Sequence, residues 1–133
     1  LRKGERHYSI REQGPQRHLA VNGNEKNVFL LKPDIVMLQD GRVAIIVDAK
    51  WKLLDRGHRS WKVSQSDLYQ MLAYSHRYGC SEVVIMHPYA YARDEVEVLE
   101  RFKLLNSTVT VSLCGIRVGD ERKAFGISHL LGN

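Results

Sequence analysis

The sequence has few cysteines and no long apolar run, and these absences narrow the class of protein. Only Cys80 and Cys114 occur, and their spacing fits neither a metal-ligand motif nor a redox motif. Each is therefore expected to be a small core residue in a reducing cytoplasm. No stretch is apolar enough for a transmembrane helix, and the first twenty residues are too polar for a signal peptide. We therefore expect a cytoplasmic protein that makes no membrane contact.

Motifs for zinc and nucleotide binding are also missing. The six histidines include no pair at zinc-ligand spacing, so a zinc site is not expected. No glycine-rich phosphate-binding loop occurs, so the domain is not expected to bind a nucleotide itself. Internal repeats and low-complexity segments are absent as well.

Length and charge are compatible with one basic domain. The 133 residues suit a single domain over residues 1–133, which we read as the C-terminal part of a longer chain because it begins at Leu1 without a methionine. Lys and Arg number 20 against 15 Asp and Glu, a net charge of +5. This excess suits a polyanionic partner, although a solvated basic surface explains the charge alone more simply.

The most informative stretch, residues 32–52, predicts two strands joined by a tight turn. Asp40 and Gly41 suit the turn, because both tolerate a positive φ. The second strand, residues 43–47, is apolar at every position, which is typical of a central strand covered on both faces. We expect the preceding strand, beginning at Pro33, to be bent or bulged near residues 32–34.

Charged residues follow directly where that apolar strand ends. Asp48 and Lys50 should point to one face of the sheet and Ala49 to the other, and the hairpin should bring Asp34 alongside. Opposite charges at the end of a buried strand are costly unless they are paired. Two carboxylates and a lysine there suit a magnesium site with a basic partner, and a structural ion pair that closes the strand end explains the same residues.

Residues 64–78 form the clearest predicted helix. Asp67 and Gln70 are expected to cap its start and Gly79 to end it. Gln70 and Tyr74 lie one turn apart on a face next to the packing stripe. That stripe is expected to comprise Leu68, Met71, Leu72, Ser75 and Tyr78.

The segment between the hairpin and the helix, residues 51–63, is basic and aromatic. Lys52, Arg59 and Lys62 could bind DNA phosphates while Trp51 or Trp61 stacks on a base. A solvated loop with its tryptophans pinned to the core explains the same composition, and the residues do not decide between the two.

Further strands are predicted on both sides of this region. Residues 8–12 and 17–21 are expected to pair with each other. Residues 82–87 should form an interior strand parallel to residues 43–47. Residues 95–105 favour a strand that forms a hairpin with residues 108–116, and residues 124–131 a short terminal helix.

Three of these motifs together resemble a nuclease superfamily. Pro33-Asp34 followed by Asp48-Ala49-Lys50 matches the PD-(D/E)xK pattern, and Gln70 with Tyr74 looks like the QxxxY element of its RecB-type branch. The combination LKPDIVM, VDAKWK and DLYQMLAY is most similar to the nuclease domain of the McrC family, cleavage subunits of modified-cytosine-dependent restriction systems.

The resemblance implies a fold and an activity. It implies an α/β restriction-endonuclease-like core, in which a mixed sheet with a central hairpin is flanked by helices. Asp34, Asp48 and the Ala49 carbonyl would bind Mg²⁺, with Mn²⁺ as a possible substitute, and Lys50 and Gln70 would complete the catalytic set. Substrate-binding residues would be Tyr74, Lys52, Arg59 and Lys62.

The resemblance also implies partners and leaves alternatives open. DNA would be the substrate, an AAA+ GTPase motor would bind through an upstream region, and a second copy would be needed for double-strand cleavage. One alternative is a catalytically silent DNA-binding or assembly module with the same fold. Another is a RecB-type exonuclease, because the sequence does not distinguish endonuclease from exonuclease action.

Overall fold

Eight strands and one helix form the part of the chain that the computed structural model describes, residues 7–51 and 63–117. In chain order they are β1 (Ser9–Glu12), β2 (Arg17–Val21), β3 (Asn27–Leu31), β4 (Ile35–Gln39), β5 (Arg42–Ala49), α1 (Gln65–Tyr78), β6 (Glu82–Pro88), β7 (Val96–Lys103) and β8 (Thr110–Ile116).

The main sheet has six strands in the order β1-β4-β5-β6-β8-β7. The pairs β5–β6 and β6–β8 are parallel, and the other pairs are antiparallel. The predicted α/β class, mixed sheet and β7–β8 hairpin are confirmed. The expected flanking helices are represented in the described residues by α1 alone, and the predicted helix over residues 124–131 lies outside them. Within the described residues, α1 is too short and too polar to span a membrane.

The β4–β5 hairpin forms as the sequence predicted. Asp40 and Gly41 have φ values of 53° and 75°, and the pair Gln39–Arg42 closes the two-residue turn. Such turns need a positive φ at both central residues, because their twist matches that of the strands. The chain bends at Asp34, as expected for residues 32–34. The ladder has a further irregularity between Met37 and Leu38.

Strand β5 is covered on both faces, because apolar layers form on either side of the sheet. Helix α1 covers one face and connects β5 to β6, so these strands can pair in parallel. The helix-side layer includes Val36, Leu38, Ile46, Met71, Tyr74, Tyr78, Val83, Ile85, Val111 and Leu113. The opposite layer includes Met37, Ile45, Val47, Val84, Met86, Val96 and Cys114. Cys80 and Cys114 are buried free thiols, as predicted.

The predicted pairing of residues 8–12 with 17–21 is wrong. Strand β1 pairs with β4 instead, with Ile10 opposite Met37. This places Tyr8 and Ile10 against the apolar layer opposite α1. In a separate hairpin with residues 17–21, these two side chains would not have that apolar contact. Strands β2 and β3 pair with each other in a two-stranded sheet, the β2–β3 ribbon. The chain passes from this ribbon into the main sheet at residues 32–34.

Two details of helix α1 differ from expectation. The N-cap is Ser64, whose side chain accepts a hydrogen bond from the Asp67 amide, so the predicted Asp67–Gln70 cap is wrong. Leu72, predicted to pack inward, is 47 % exposed, whereas Tyr74 is 2 % exposed. The buried stripe follows 71, 74, 75 and 78, which is the i, i+3, i+4, i+7 pattern of one helix face. Gly79 ends the helix with φ 69°, as predicted.

Candidate active site

The register of the β4–β5 hairpin places Asp34 beside Asp48. Ile35 pairs with Val47 in the antiparallel ladder. Asp34 precedes Ile35 and Asp48 follows Val47, so the two acids lie opposite each other just beyond this pair. The Ala49 amide donates a hydrogen bond of 2.8 Å to Asp34 Oδ2. Asp34 is therefore held against the carboxyl end of β5 by a backbone donor.

The Lys50 side chain is surrounded by acceptors from two elements. Its backbone amide donates to the Met86 carbonyl at 2.7 Å, which extends the link between β5 and β6 beyond the end of the strand. Its Nζ lies 2.7 Å from Asp48 Oδ2 and 3.0 Å from Asp67 Oδ1, and donates to Gln70 Oε1 at 3.1 Å. Strand alternation explains the first contact, since Asp48 and Lys50 share the face that α1 covers.

Asp48 is a buried acid with one incompletely satisfied oxygen. The residue is 5 % exposed, and its Oδ2 accepts no hydrogen bond of good geometry from the described residues. The same oxygen lies 2.7 Å from Lys50 Nζ, so Asp48 and Lys50 form an ion pair. Burial raises the pKa of Asp48 and the Asp34 charge adds to this, while Lys50 opposes them only in part.

The pKa values of Lys50 and Asp67 are shifted in opposite directions. Burial alone would lower the pKa of Lys50, but hydrogen bonds and charges from Asp48 and Asp67 outweigh it and raise that pKa. Burial alone would raise the pKa of Asp67, but Lys50 and the Ser64 hydrogen bond lower it. Lys50 is therefore an ammonium and Asp67 a carboxylate near neutral pH.

Gln70 and Tyr74 connect the site to the chain before Asp34. Gln70 Nε2 donates to the Tyr74 hydroxyl at 3.3 Å, and this hydroxyl donates to the Lys32 carbonyl at 3.3 Å. Burial raises the pKa of Tyr74, and the charges of Asp48 and Asp34 raise it further. The hydroxyl therefore remains a neutral donor that ties α1 to the segment entering β4.

The structure brings together five of the residues predicted for the site, Asp34, Asp48, Ala49, Lys50 and Gln70. Tyr74 is buried and contacts this group through its hydrogen bond from Gln70. Lys52, Arg59 and Lys62 lie outside the described residues, as does most of the basic segment over residues 51–63. Trp51, at its start, is 88 % exposed.

Sequence reasoning missed Asp67 and His87. Asp67 was taken for a cap, but Ser64 caps the helix and leaves the Asp67 carboxylate to face Lys50. The S-x-x-D spacing of residues 64–67 was the available signal for Ser64 as the cap. His87 lies at the end of β6, and its charge helps to lower the pKa of Asp67. Its alternation with Val83 and Ile85 could have placed it on this face.

The donor set fits a hard divalent cation with few protein ligands. In residues 7–51 and 63–117, no three His, Cys, Asp or Glu side chains converge as a metal-binding group. The candidate donors are the Asp34 and Asp48 carboxylates with the Ala49 carbonyl. Mg²⁺ is commonly held by one or two carboxylates and keeps several waters, and the incompletely satisfied Asp48 oxygen suits such an ion.

Comparison with known proteins places the chain in a family. No curated protein matches it. The family model described as "McrBC 5-methylcytosine restriction system component" matches residues 1–88, which is 88 of the 133 residues and includes every described site residue. Because this match covers more than half of the sequence, the chain belongs to the McrBC 5-methylcytosine restriction system component family.

Proposed function

We propose that this chain is a metal-dependent DNA endonuclease domain with a restriction-endonuclease-like core, the cleavage part of a modified-cytosine restriction complex. The observation that carries the proposal is the meeting of Asp34, Asp48 and Lys50 at the carboxyl end of β5, with Gln70 beside them. The family match supports the restriction system and the motifs support the nuclease.

Asp34, Asp48 and the Ala49 carbonyl would hold Mg²⁺, or Mn²⁺ in its place. When bound, such an ion neutralises phosphate charge and lowers the pKa of a coordinated water. Asp48 is suited to this position because its buried oxygen gains a strong partner there. Asp34 is suited because the Ala49 amide fixes its orientation.

Lys50 serves as a cation in this scheme. Since its pKa is raised in the metal-free site, the amine is an ammonium near neutral pH. Its role is to donate hydrogen bonds to negative charge that develops on the phosphate. Gln70 accepts from the ammonium and keeps it at the strand end.

The partners are proposed from the family match. DNA carrying 5-methylcytosine would be the substrate of the complex. An AAA+ GTPase subunit would supply nucleotide hydrolysis. One active site cleaves one strand, so a double-strand break would require a second copy.

The deciding experiment compares cleavage by the full chain and by a Lys50→Ala variant. Methylated plasmid is incubated with each protein, its GTPase partner, GTP and Mg²⁺ or Mn²⁺. Metal-dependent nicking by the parent chain should fall at least about a hundredfold in the variant, because the charge on the phosphate loses its donor. Lys103→Ala is the matched control, since Lys103 is an exposed lysine at the end of β7.

The opposite result identifies the alternatives. Equal cleavage by parent and Lys50→Ala would contradict the proposed site. If the complete parent complex binds DNA but does not cleave it, the result would favour a silent DNA-binding module. Cleavage that requires a free DNA end would instead favour the RecB-type exonuclease.

A further inference from the structure

The Lys50 ammonium has two carboxylate neighbours on different elements. Asp48 belongs to β5 and Asp67 to the first turn of α1, at 2.7 Å and 3.0 Å from Nζ. Of these two, only Asp48 belongs to the predicted metal ligands. The Asp48 carboxylate would then contact both the ammonium and a divalent cation.

These two cations repel one another when they share that carboxylate. A divalent ion on Asp48 would weaken the Lys50–Asp48 contact, and a partly buried ammonium without a carboxylate is unfavourable. Lys50 also lies near the N-terminus of α1, where the helix dipole disfavours positive charge. Asp67 offsets both effects from a position that the predicted metal donors do not use.

We propose that Asp67 is a positioning residue that holds Lys50 at the strand end while Asp48 binds the divalent cation. The inference rests on the proposed function, because it concerns the same metal site. Asp67 makes cation binding easier by providing the ammonium with a second carboxylate. Without Asp67, the cation would have to displace Lys50 from its last carboxylate partner.

The local structure of α1 suits Asp67 to this role. The Ser64 side chain accepts from the Asp67 amide and fixes the first turn. Gln70, one turn later, supplies a second helix acceptor for the same ammonium. The side chains of Lys50 and Asp67 are 25 % and 27 % exposed, so the pair is partly shielded from solvent.

The test measures Mn²⁺ affinity without DNA, from the loss of the electron paramagnetic resonance signal of free Mn²⁺. The full chain is compared with Asp67→Asn, Lys50→Met and the double variant. Asp67→Asn should bind Mn²⁺ at least about fivefold more weakly than the parent chain. In the Lys50→Met background the same change should alter affinity less than about twofold, because no ammonium remains to be held.

Two matched variants separate this role from general effects. Asp94→Asn removes an exposed carboxylate elsewhere and controls for net charge. It should keep the parent affinity within about twofold. Asp67→Glu keeps the charge and should recover most of the affinity, with folding checked by circular dichroism.

The outcomes distinguish this inference from the proposed function. If the parent chain binds no Mn²⁺, the metal site and hence the proposed function are wrong. If the parent binds Mn²⁺ and Asp67→Asn binds it equally well, only the role of Asp67 is wrong. An equal loss in both backgrounds would also overturn it, because the effect would then come from the Asp67 charge acting directly on the ion.

Discussion

At the residue scale, the position of Tyr74 differs most from its sequence-based description. By periodicity the residue belonged to a face beside the packing stripe, yet it is 2 % exposed and both contacts of its hydroxyl are internal. The hydroxyl lies between the Gln70 amide and the Lys32 carbonyl. The substrate-binding role that the resemblance implies for Tyr74 stays a prediction.

Replacing Tyr74 with Phe should therefore weaken the fold. The loss of two internal hydrogen bonds should lower the free energy of unfolding by about 1–2 kcal/mol, measured by urea denaturation. Tyr69→Phe is the matched control, because Tyr69 is on the same helix and 63 % exposed. It should change stability by less than about 0.5 kcal/mol. Equal stabilities for the two variants would contradict the bonding role of the hydroxyl.

The core of the candidate site was predictable from the sequence, but its full set of contacts was not. Asp34, Asp48 and Lys50 could be placed because strand alternation and a two-residue turn fix which side chains meet. Asp67 was harder to place, because Ser64 and Asp67 both suit a helix cap. The S-x-x-D spacing favours Ser64 as the cap but does not tell where the Asp67 carboxylate points. Because Ser64 is the cap, the Asp67 side chain is free to face Lys50.

At the scale of elements, the two ends of α1 are set by different chemistry. Ser64 supplies a side-chain acceptor at the start, whereas Gly79 supplies a left-handed backbone conformation at the end. The Gly79 amide donates to the Ser75 carbonyl at 2.9 Å and so satisfies one of the last helix acceptors.

Gly79→Ala should destabilise the protein for conformational reasons alone. A Cβ at Gly79 would have no heavy atom within 4 Å, but φ is +69°. The expected loss is about 1 kcal/mol in thermal or chemical unfolding. Gly23→Ala is the matched control, since a Cβ there is equally free of contacts and its φ lies outside the left-handed region. A loss of the same size at Gly23 would exclude this explanation.

The partners of the first strands depended on long-range packing. The sequence predicted the existence of β1 and β2 but paired them wrongly, since short sequence separation favours a hairpin. In the structure, β1 instead lies at the edge of the main sheet, where Ile10 reaches an apolar layer built from β4, β5 and β6. This layer is formed by strands that are distant in the sequence, so the alternation of residues within β1 and β2 could not decide which strands pair.

At the scale of the whole molecule, the protection of backbone amides against hydrogen exchange should differ between the two sheets. Strand β6 pairs with β5 on one side and β8 on the other, and its central residues are buried. Within residues 7–51 and 63–117, β2 and β3 pair only with each other. In this ribbon the side chains of Val21 and Phe29 are 61 % and 73 % exposed.

Hydrogen exchange should therefore separate these regions in one experiment. Paired amides of β6 should exchange at least about a hundredfold more slowly than those of the ribbon, because they open only with the main sheet. Mass spectrometry of peptides from the two regions measures both rates under identical conditions. Uniform protection across both regions would mean that the ribbon and the main sheet unfold as a single unit.

The carboxylate at position 48 lowers the stability of this fold, whereas the proposed activity requires it. A valine or leucine there would continue the apolar run of β5 and would bring no buried charge, so selection for a stable sheet alone would favour it. Asp48 instead gives the native state an acid beside another acid. The free protein is thus less stable than its sheet would allow, and an ion that binds only the folded chain would return part of that difference.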